Sequence, residues 1–147
     1  MAFDVDRLLR LWSEPPADDA AAAAAFSELY TDPVTINGAP VAAADLVVRA
    51  RALRAALGPV EREVVDVVEG DGGKVAVAFR LRGRHSGTLS TSAGPVPATG
   101  GVVELRVIDV LTLSDGRISD IWMVADELGA LVGIGAVRLA PVPAGRG

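Results

Sequence analysis

Apolar residues fall at two different spacings along this chain, and the change of spacing divides it. In the first part the spacing is helical. Val5, Leu8, Leu9 and Trp12 line one stripe, and Pro15-Pro16 closes it. Asp18 and Asp19 precede an alanine run that ends Phe26-Ser-Glu-Leu29-Tyr30, which predicts a second helix with acidic residues where the dipole favours them. Thr31-Asp32-Pro33 ends it. Val34-Thr-Ile36 is a short strand, and Asn37-Gly-Ala-Pro40 is a turn. Leu46, Ala50, Leu53 and Leu57 then mark a third helix stopped by Gly58-Pro59.

Beyond that point the period becomes two. Residues Glu63 to Glu69 predict a strand, Gly70-Asp-Gly-Gly73 a hairpin turn, and Lys74 to Arg82 a second strand of clean alternation. A long Ser, Thr, Gly and Pro-rich loop covers Ser86 to Gly101, and its length suits a lid or pocket rim. Two more strands, about Val102–Leu113 and Arg117–Val124, flank a Ser-Asp-Gly turn. A short helix follows Asp126, and a Pro/Gly tail begins at Pro141. Helices followed by a run of strands give an α+β domain. The expected organisation is one domain over residues 1–140 with a flexible tail over 141–147.

Strand parity selects polar residues for the core face. If Val75, Val77, Phe79 and Leu81 face inward, an unbroken strand carries His85 to the same face. It is then either a buried histidine bonded to backbone or an acid/base group that titrates near neutrality. Asp109 falls among Val103, Leu105, Val107, Leu111 and Leu113. A carboxylate there must be paired, protonated or open to a cavity, unless the register slips by one. In the last strand Ile118, Asp120 and Trp122 are expected on one face, with Ser119, Ile121 and Met123 on the other. Two partly apolar faces suggest helices on one side and a second copy of the chain on the other, hence a homodimer. Asp126, at the junction from strand to helix, is either a helix N-cap or a general acid/base beside Trp122.

Totals narrow the chemistry. The 147 residues carry a net charge of −5, half are hydrophobic, and there is one histidine and no cysteine. That balance argues against nucleic acid as a partner. It removes thiolate chemistry, disulfides, cysteine-based metal sites and a multi-histidine metal site within one chain. The start lacks the features of a signal peptide, and the apolar run from Leu128 to Ala140 is too short to span a bilayer and holds Arg138, so a cytoplasmic protein without membrane contact is expected. Gly133-Ile-Gly135 is not a dinucleotide fingerprint, and no Gly-x-Ser-x-Gly elbow is present.

Leu29-Tyr30-Thr-Asp-Pro-Val, Gly83-Arg-His85-Ser-Gly87, Pro97-Ala-Thr-Gly100 and Asp115-Gly-Arg-Ile-Ser-Asp-Ile-Trp122-Met-Val-Ala-Asp126 together resemble the SnoaL-like polyketide cyclase (ester cyclase) family of the nuclear transport factor 2-like superfamily. The resemblance runs from about Leu8 to Gly135. It implies a cone, a curved antiparallel sheet with about three helices enclosing a pocket. It implies an acid/base enzyme that uses no metal and no cofactor and closes a ring by intramolecular aldol chemistry on a small apolar or polyketide-like substrate. Asp126 would be the acid/base group and His85 a second catalytic group. Trp122, Asn37, Asp109, Tyr30 and Phe79 would contact substrate. Ile121, where many members carry histidine, and Val132-Gly-Ile-Gly135, where Gln-Leu-Gly is common, depart from the pattern. Other enzymes of the superfamily, such as an epoxide hydrolase, dehydratase or isomerase, and a non-catalytic ligand-binding or interaction protein remain open readings.

Overall fold

The computed structural model describes residues 2–145. Residues 146 and 147 of the expected tail lie outside that range. Helix α1 (Val5–Ser13) turns Val5, Leu8 and Leu9 inward, and Asp4 caps it by accepting from the Arg7 amide. Helix α2 (Asp19–Leu29) is capped by Asp18, which accepts from the Ala21 amide, and buries Ala22, Phe26 and Leu29. Its alanines supply helix propensity, and three residues supply its packing face. The chain passes straight from Leu29 into β1 (Tyr30–Ile36), turns at Asn37-Gly38, and returns as β2 (Ala39–Val41). The sequence placed the start of this strand four residues later, at Val34. Helix α3 (Ala43–Leu57) ends at Gly58, whose φ of +61° suits glycine.

The remaining long strands are β3 (Glu61–Glu69), β4 (Lys74–Arg84), β7 (Val102–Ser114) and β8 (Arg117–Ala125), followed by α4 (Glu127–Gly133). A small hairpin, β5 (Leu89–Thr91) with β6 (Gly94–Val96), occupies the loop read as irregular. The main sheet runs β2-β1-β8-β7-β4-β3. Its neighbours are antiparallel except β1 and β8, which pair parallel, so the expected antiparallel sheet is a mixed one. The α+β cone itself is present, with four helices among the described residues when the short α4 is included.

The inner face carries one continuous core. Phe26, Tyr30, Val34, Leu46, Val77, Leu111 and Ile118 are almost wholly buried in it. A second cluster, Ala56, Leu57, Val103 and Ala130, ties the end of α3 to β7 and α4. Both the start of β4's exit and the loop behind it press on α3. A Cβ on Gly83 would lie 2.8 Å from the Leu57 carbonyl oxygen, and one on Gly87 would overlap the Ala55 carbonyl. Ser86 and Gly87 both donate their amides to the Ala56 carbonyl. The two glycines of Gly83-Arg-His85-Ser-Gly87 are therefore explained by backbone packing.

Candidate active site

Parity along β4 and β7 holds as the alternation predicts. His85 and Asp109 are both inward, 0% and 8% exposed. Asp109 sits in the wall of the core, paired in register with Val77 on one side and Met123 on the other. Its Oδ1 is buried without a hydrogen-bond partner. Burial pushes its pKa up to about 6, because the charged form loses water and gains no donor. Tyr30 and Phe79 are inward too. Tyr30 is buried, its Oη accepts from Trp12 Nε1 at 2.6 Å, and its ionisation is pushed well up by burial, with a smaller push from the Asp109 charge. Asp109, Tyr30 and Phe79 thus belong to the cone interior.

His85 is engaged elsewhere. Its Nδ1 lies 3.0 Å from Thr99 Oγ1 and accepts from the Thr99 amide at 3.3 Å. With Nδ1 accepting, Nε2 carries the proton and donates to the Val96 carbonyl at 3.2 Å. The backbone adds His85 N–H to Gly101 O and Gly100 N–H to His85 O. Both ring nitrogens hold the 86–101 segment against β4, so the histidine expected to be catalytic has no free ring atom for a substrate. Among the described residues no hydrogen bond joins it to Asp109 or Asp126.

Asp126 is the N-cap of α4. Oδ1 accepts from the Gly129 amide at 2.9 Å, and Oδ2 accepts from Arg106 Nη2 at 3.1 Å. Gly129 leaves room for this wrap, since a Cβ there would overlap the carboxylate. The Gly129 amide first, and the Arg106 hydrogen bond and charge after it, hold the carboxyl below the usual range despite a small opposing desolvation. Trp122 does not form the expected apolar wall, because it stands largely exposed on the outer face of the sheet. Thr112 pairs with Asp120 but Leu113 pairs with Ile118, so Ser119 is an extra residue that reverses parity. Ile118 and Ile121 are both buried, while Trp122 is 57% exposed on the outer face. That corrects its assignment as a wall of the site. In exchange the bulge brings Met123 to the inner side, beside Asp109 and 41% exposed.

Asn37 is also spoken for. At φ +49° in the β1–β2 turn, it donates from Nδ2 to the Met123 carbonyl and accepts at Oδ1 from the Met123 amide. It therefore reaches the site through the backbone of Met123 and not through a substrate contact. An epoxide hydrolase reading would need an arginine beside the inward Asp109, and neither candidate is there: Arg106 bonds Asp126, and Arg84 donates to the Gly100 carbonyl. Among the described residues, no three His, Asp or Glu side chains are placed to hold a metal ion.

Two concavities of about 300 and 250 Å³ open on the outer face. One is lined by Glu61, Arg62, Glu63, Arg80, Arg82 and Glu104, the other by Val65, Ala78, Arg80, Arg106 and Ile108 among others. The residues that sequence reasoning missed are Trp12 and Met123. Trp12 carried a signal, because a half-buried indole N–H needs an acceptor. Met123 carried none that alternation could show. No helix among the described residues is long and apolar enough to cross a membrane.

Comparison with solved structures gives the same fold at low identity. TsrD from Streptomyces laurentii matches with TM-score 0.72 and 19% identity, over 90% of this chain and 92% of that one. AclR from Streptomyces galilaeus matches with TM-score 0.69 and 19% identity, over 93% and 82%. A SnoaL-like polyketide cyclase from Agrobacterium tumefaciens strain C58 matches with TM-score 0.68 and 16% identity, over 90% and 97%. Comparison with curated protein sequences gave no significant match. Residues 5–133 match the family described as SnoaL-like polyketide cyclase, and the chain belongs to that family.

Proposed function

We propose that this chain is a cofactor-independent acid/base enzyme of the polyketide cyclase kind, closing a ring by intramolecular aldol chemistry, and that Asp109 moves the proton. The observation that carries the reading is Asp109 itself: an inward carboxyl in an apolar wall, with Oδ1 unpartnered and a pKa raised to about 6. A base works best with a pKa near the operating pH, and Asp109 is closer to it than Asp126, which is held low and exposed.

The step balances without a redox partner. The Asp109 carboxylate takes a proton from the carbon between two carbonyls. The electron pair moves to the adjacent carbonyl oxygen as an enolate. The enolate carbon then bonds to a second carbonyl carbon of the same molecule, whose oxygen receives the proton back from Asp109. Tyr30 supplies a hydroxyl for the enolate oxygen, and Phe79, Val107 and Met123 supply apolar surface for a small polyketide-like substrate. Met123 is flexible and half exposed beside Asp109, which makes it the natural point of entry.

The reading includes a homodimer joined through the outer sheet face. Val68, Ala76, Val110 and Trp122 form one row across four strands, and Ala78, Ile108 and Val124 a second row beside it. Arg80 with Glu63 and Glu104 places both charge signs next to these rows, so a second copy related by a two-fold axis meets matching chemistry. The enzyme is taken to act in the cytoplasm.

The test compares Asp109→Asn with Asp126→Asn on a panel of β-keto esters. Asp109→Asn loses turnover by about two to four orders of magnitude, and Asp126→Asn keeps most of it. The reverse result returns the role to Asp126. Binding without turnover by the unaltered chain makes it a ligand-binding protein.

A further inference from the structure

Asn37 is the only asparagine of the chain, there is no glutamine, and a glycine follows it. The pair Asn37-Gly38 forms the two-residue turn between β1 and β2, with φ of +49° and +84°, a conformation that Asn-Gly favours. Both residues are exposed. Asparagine is a thermolabile residue, and a following glycine leaves its nitrogen unshielded beside the asparagine Cγ. Among the described residues, nothing accepts a hydrogen bond from the Gly38 amide. What stands against reaction is the direction of the Asn37 side chain. Nδ2 donates to the Met123 carbonyl at 3.2 Å and Oδ1 accepts from the Met123 amide at 2.8 Å. A side chain stretched across to β8 cannot at the same time turn back and offer Cγ to the next nitrogen of its own chain. Both bonds lie at the surface, so local opening of the turn releases them without unfolding the core.

We propose that Asn37-Gly38 is a deamidation site guarded by Met123: the side-chain amide is lost only when the turn lets go of β8, and the product cannot restore the pair. In the step, the Gly38 nitrogen bonds to Asn37 Cγ and the Cγ–Nδ2 bond breaks. Nδ2 leaves as ammonia, taking the Gly38 amide proton, and a cyclic imide remains. Water then adds to one of its two carbonyl carbons. The carbon–nitrogen bond there breaks, the water oxygen stays on the carbon, and a proton returns to the nitrogen. The result is an aspartyl or isoaspartyl residue. Its carboxylate presents only acceptors to the Met123 carbonyl, where Nδ2 had donated. The isoaspartyl form also adds a methylene to the backbone of a tight turn. Met123 pairs in register with Asp109, so the change loosens the sheet beside the inward carboxyl. The chemistry does not depend on Asp109 being a catalyst.

The experiment ages the unaltered chain at mildly alkaline pH, folded and in urea, and reads intact mass and the peptide that carries the change. With one asparagine and no glutamine, the mass gain of an amide-to-acid exchange can arise at one position only. Asp71-Gly72 and Asp115-Gly116 rearrange through the same imide without that gain. The gain appears in urea and is at least about tenfold slower in the folded chain, the factor being the fraction of time the turn is open. Asn37→Ser has no side-chain amide and gains nothing in either condition. Equal rates folded and in urea overturn the guard. A chain that stays unchanged in urea, or a gain that persists in Asn37→Ser, overturns the site. Asn37→Asp stands for the product, and its urea midpoint falls below that of the unaltered chain with the slope unchanged. An unchanged midpoint overturns the claim that the pair cannot be restored. Should Asn37→Asp fail to fold, the heavier fraction of the chain aged without urea is measured in its place.

Discussion

Asn37 completes the hydrogen bonding of Met123 as a neighbouring strand would, donating to its carbonyl at 3.2 Å and accepting from its amide at 2.8 Å. The pair joins a turn of positive φ to the residue paired with Asp109. Asn37→Ala loses both bonds and strains the turn. The expected cost is roughly 1–2 kcal/mol, read as a lower midpoint in urea with an unchanged slope. Asn37→Ala with full stability would show that water replaces the amide without loss.

Asp109 gives stability a pH dependence of unusual sign. Its folded pKa, about 6, is above the ordinary 3.8, so between these values the folded state holds a proton that the unfolded state releases. The Asp109 contribution to stability is then most favourable below pH 4, falls as pH rises through 4 to 6 and stays low above. Asp109→Asn removes that fall and is expected to gain roughly 2 kcal/mol at pH 7.5 relative to the unaltered chain. Denaturation at pH 5 and pH 7.5 checks it, and an equal stability change at both pH values would contradict it.

The cap and the catalyst separate at Asp126. Asn accepts from the Gly129 amide as Asp does, so Asp126→Asn keeps the melting temperature near its original value. Asp126→Ala lowers it by several degrees, and high salt narrows the difference between Asp and Asn, since the Arg106 pair is exposed.

His85→Phe leaves the Val96 carbonyl and the Thr99 amide without their partner. The cost is about 1–3 kcal/mol, concentrated in the 86–101 segment. Hydrogen exchange checks it: Thr99 and Gly100 amides lose protection well ahead of those in β7. Uniform loss across the sheet would instead mean that His85 supports the core as a whole.

Val124→Glu and Ile108→Glu place charge in paired positions of the outer row, at residues 74% and 57% exposed. If the outer face joins two copies as proposed, each variant is monomeric at micromolar concentration in sedimentation velocity while the unaltered chain is dimeric and the fold persists by circular dichroism. A monomeric unaltered chain would remove the outer face as an interface.

Much of the fold was legible because period is a direct imprint of burial. Helical spacing at Val5, Leu8 and Leu9 and alternation from Val75 to Leu81 report which face meets the core, and His85 and Asp109 were placed inward on that ground alone. What alternation cannot report is an extra residue. Ser119 shifts the ladder by one, and every assignment after it, Trp122 included, changes face. Nor does a residue's type report its partners. Asn37, His85 and Asp126 suit catalysis as types, but their hydrogen-bonding atoms are engaged by Met123, by Thr99 and Val96, and by Gly129 and Arg106. Asp109 emerges as the exception because its Oδ1 has no such engagement.

The bulge at Ser119 has a consequence for how such a chain can change. Deleting that one residue would turn Trp122 and Val124 toward Asp109 and send Met123 outward. A single-codon loss would therefore exchange residues between the interior lining and the outer face in one event. Along β8 the two faces are not free to vary independently.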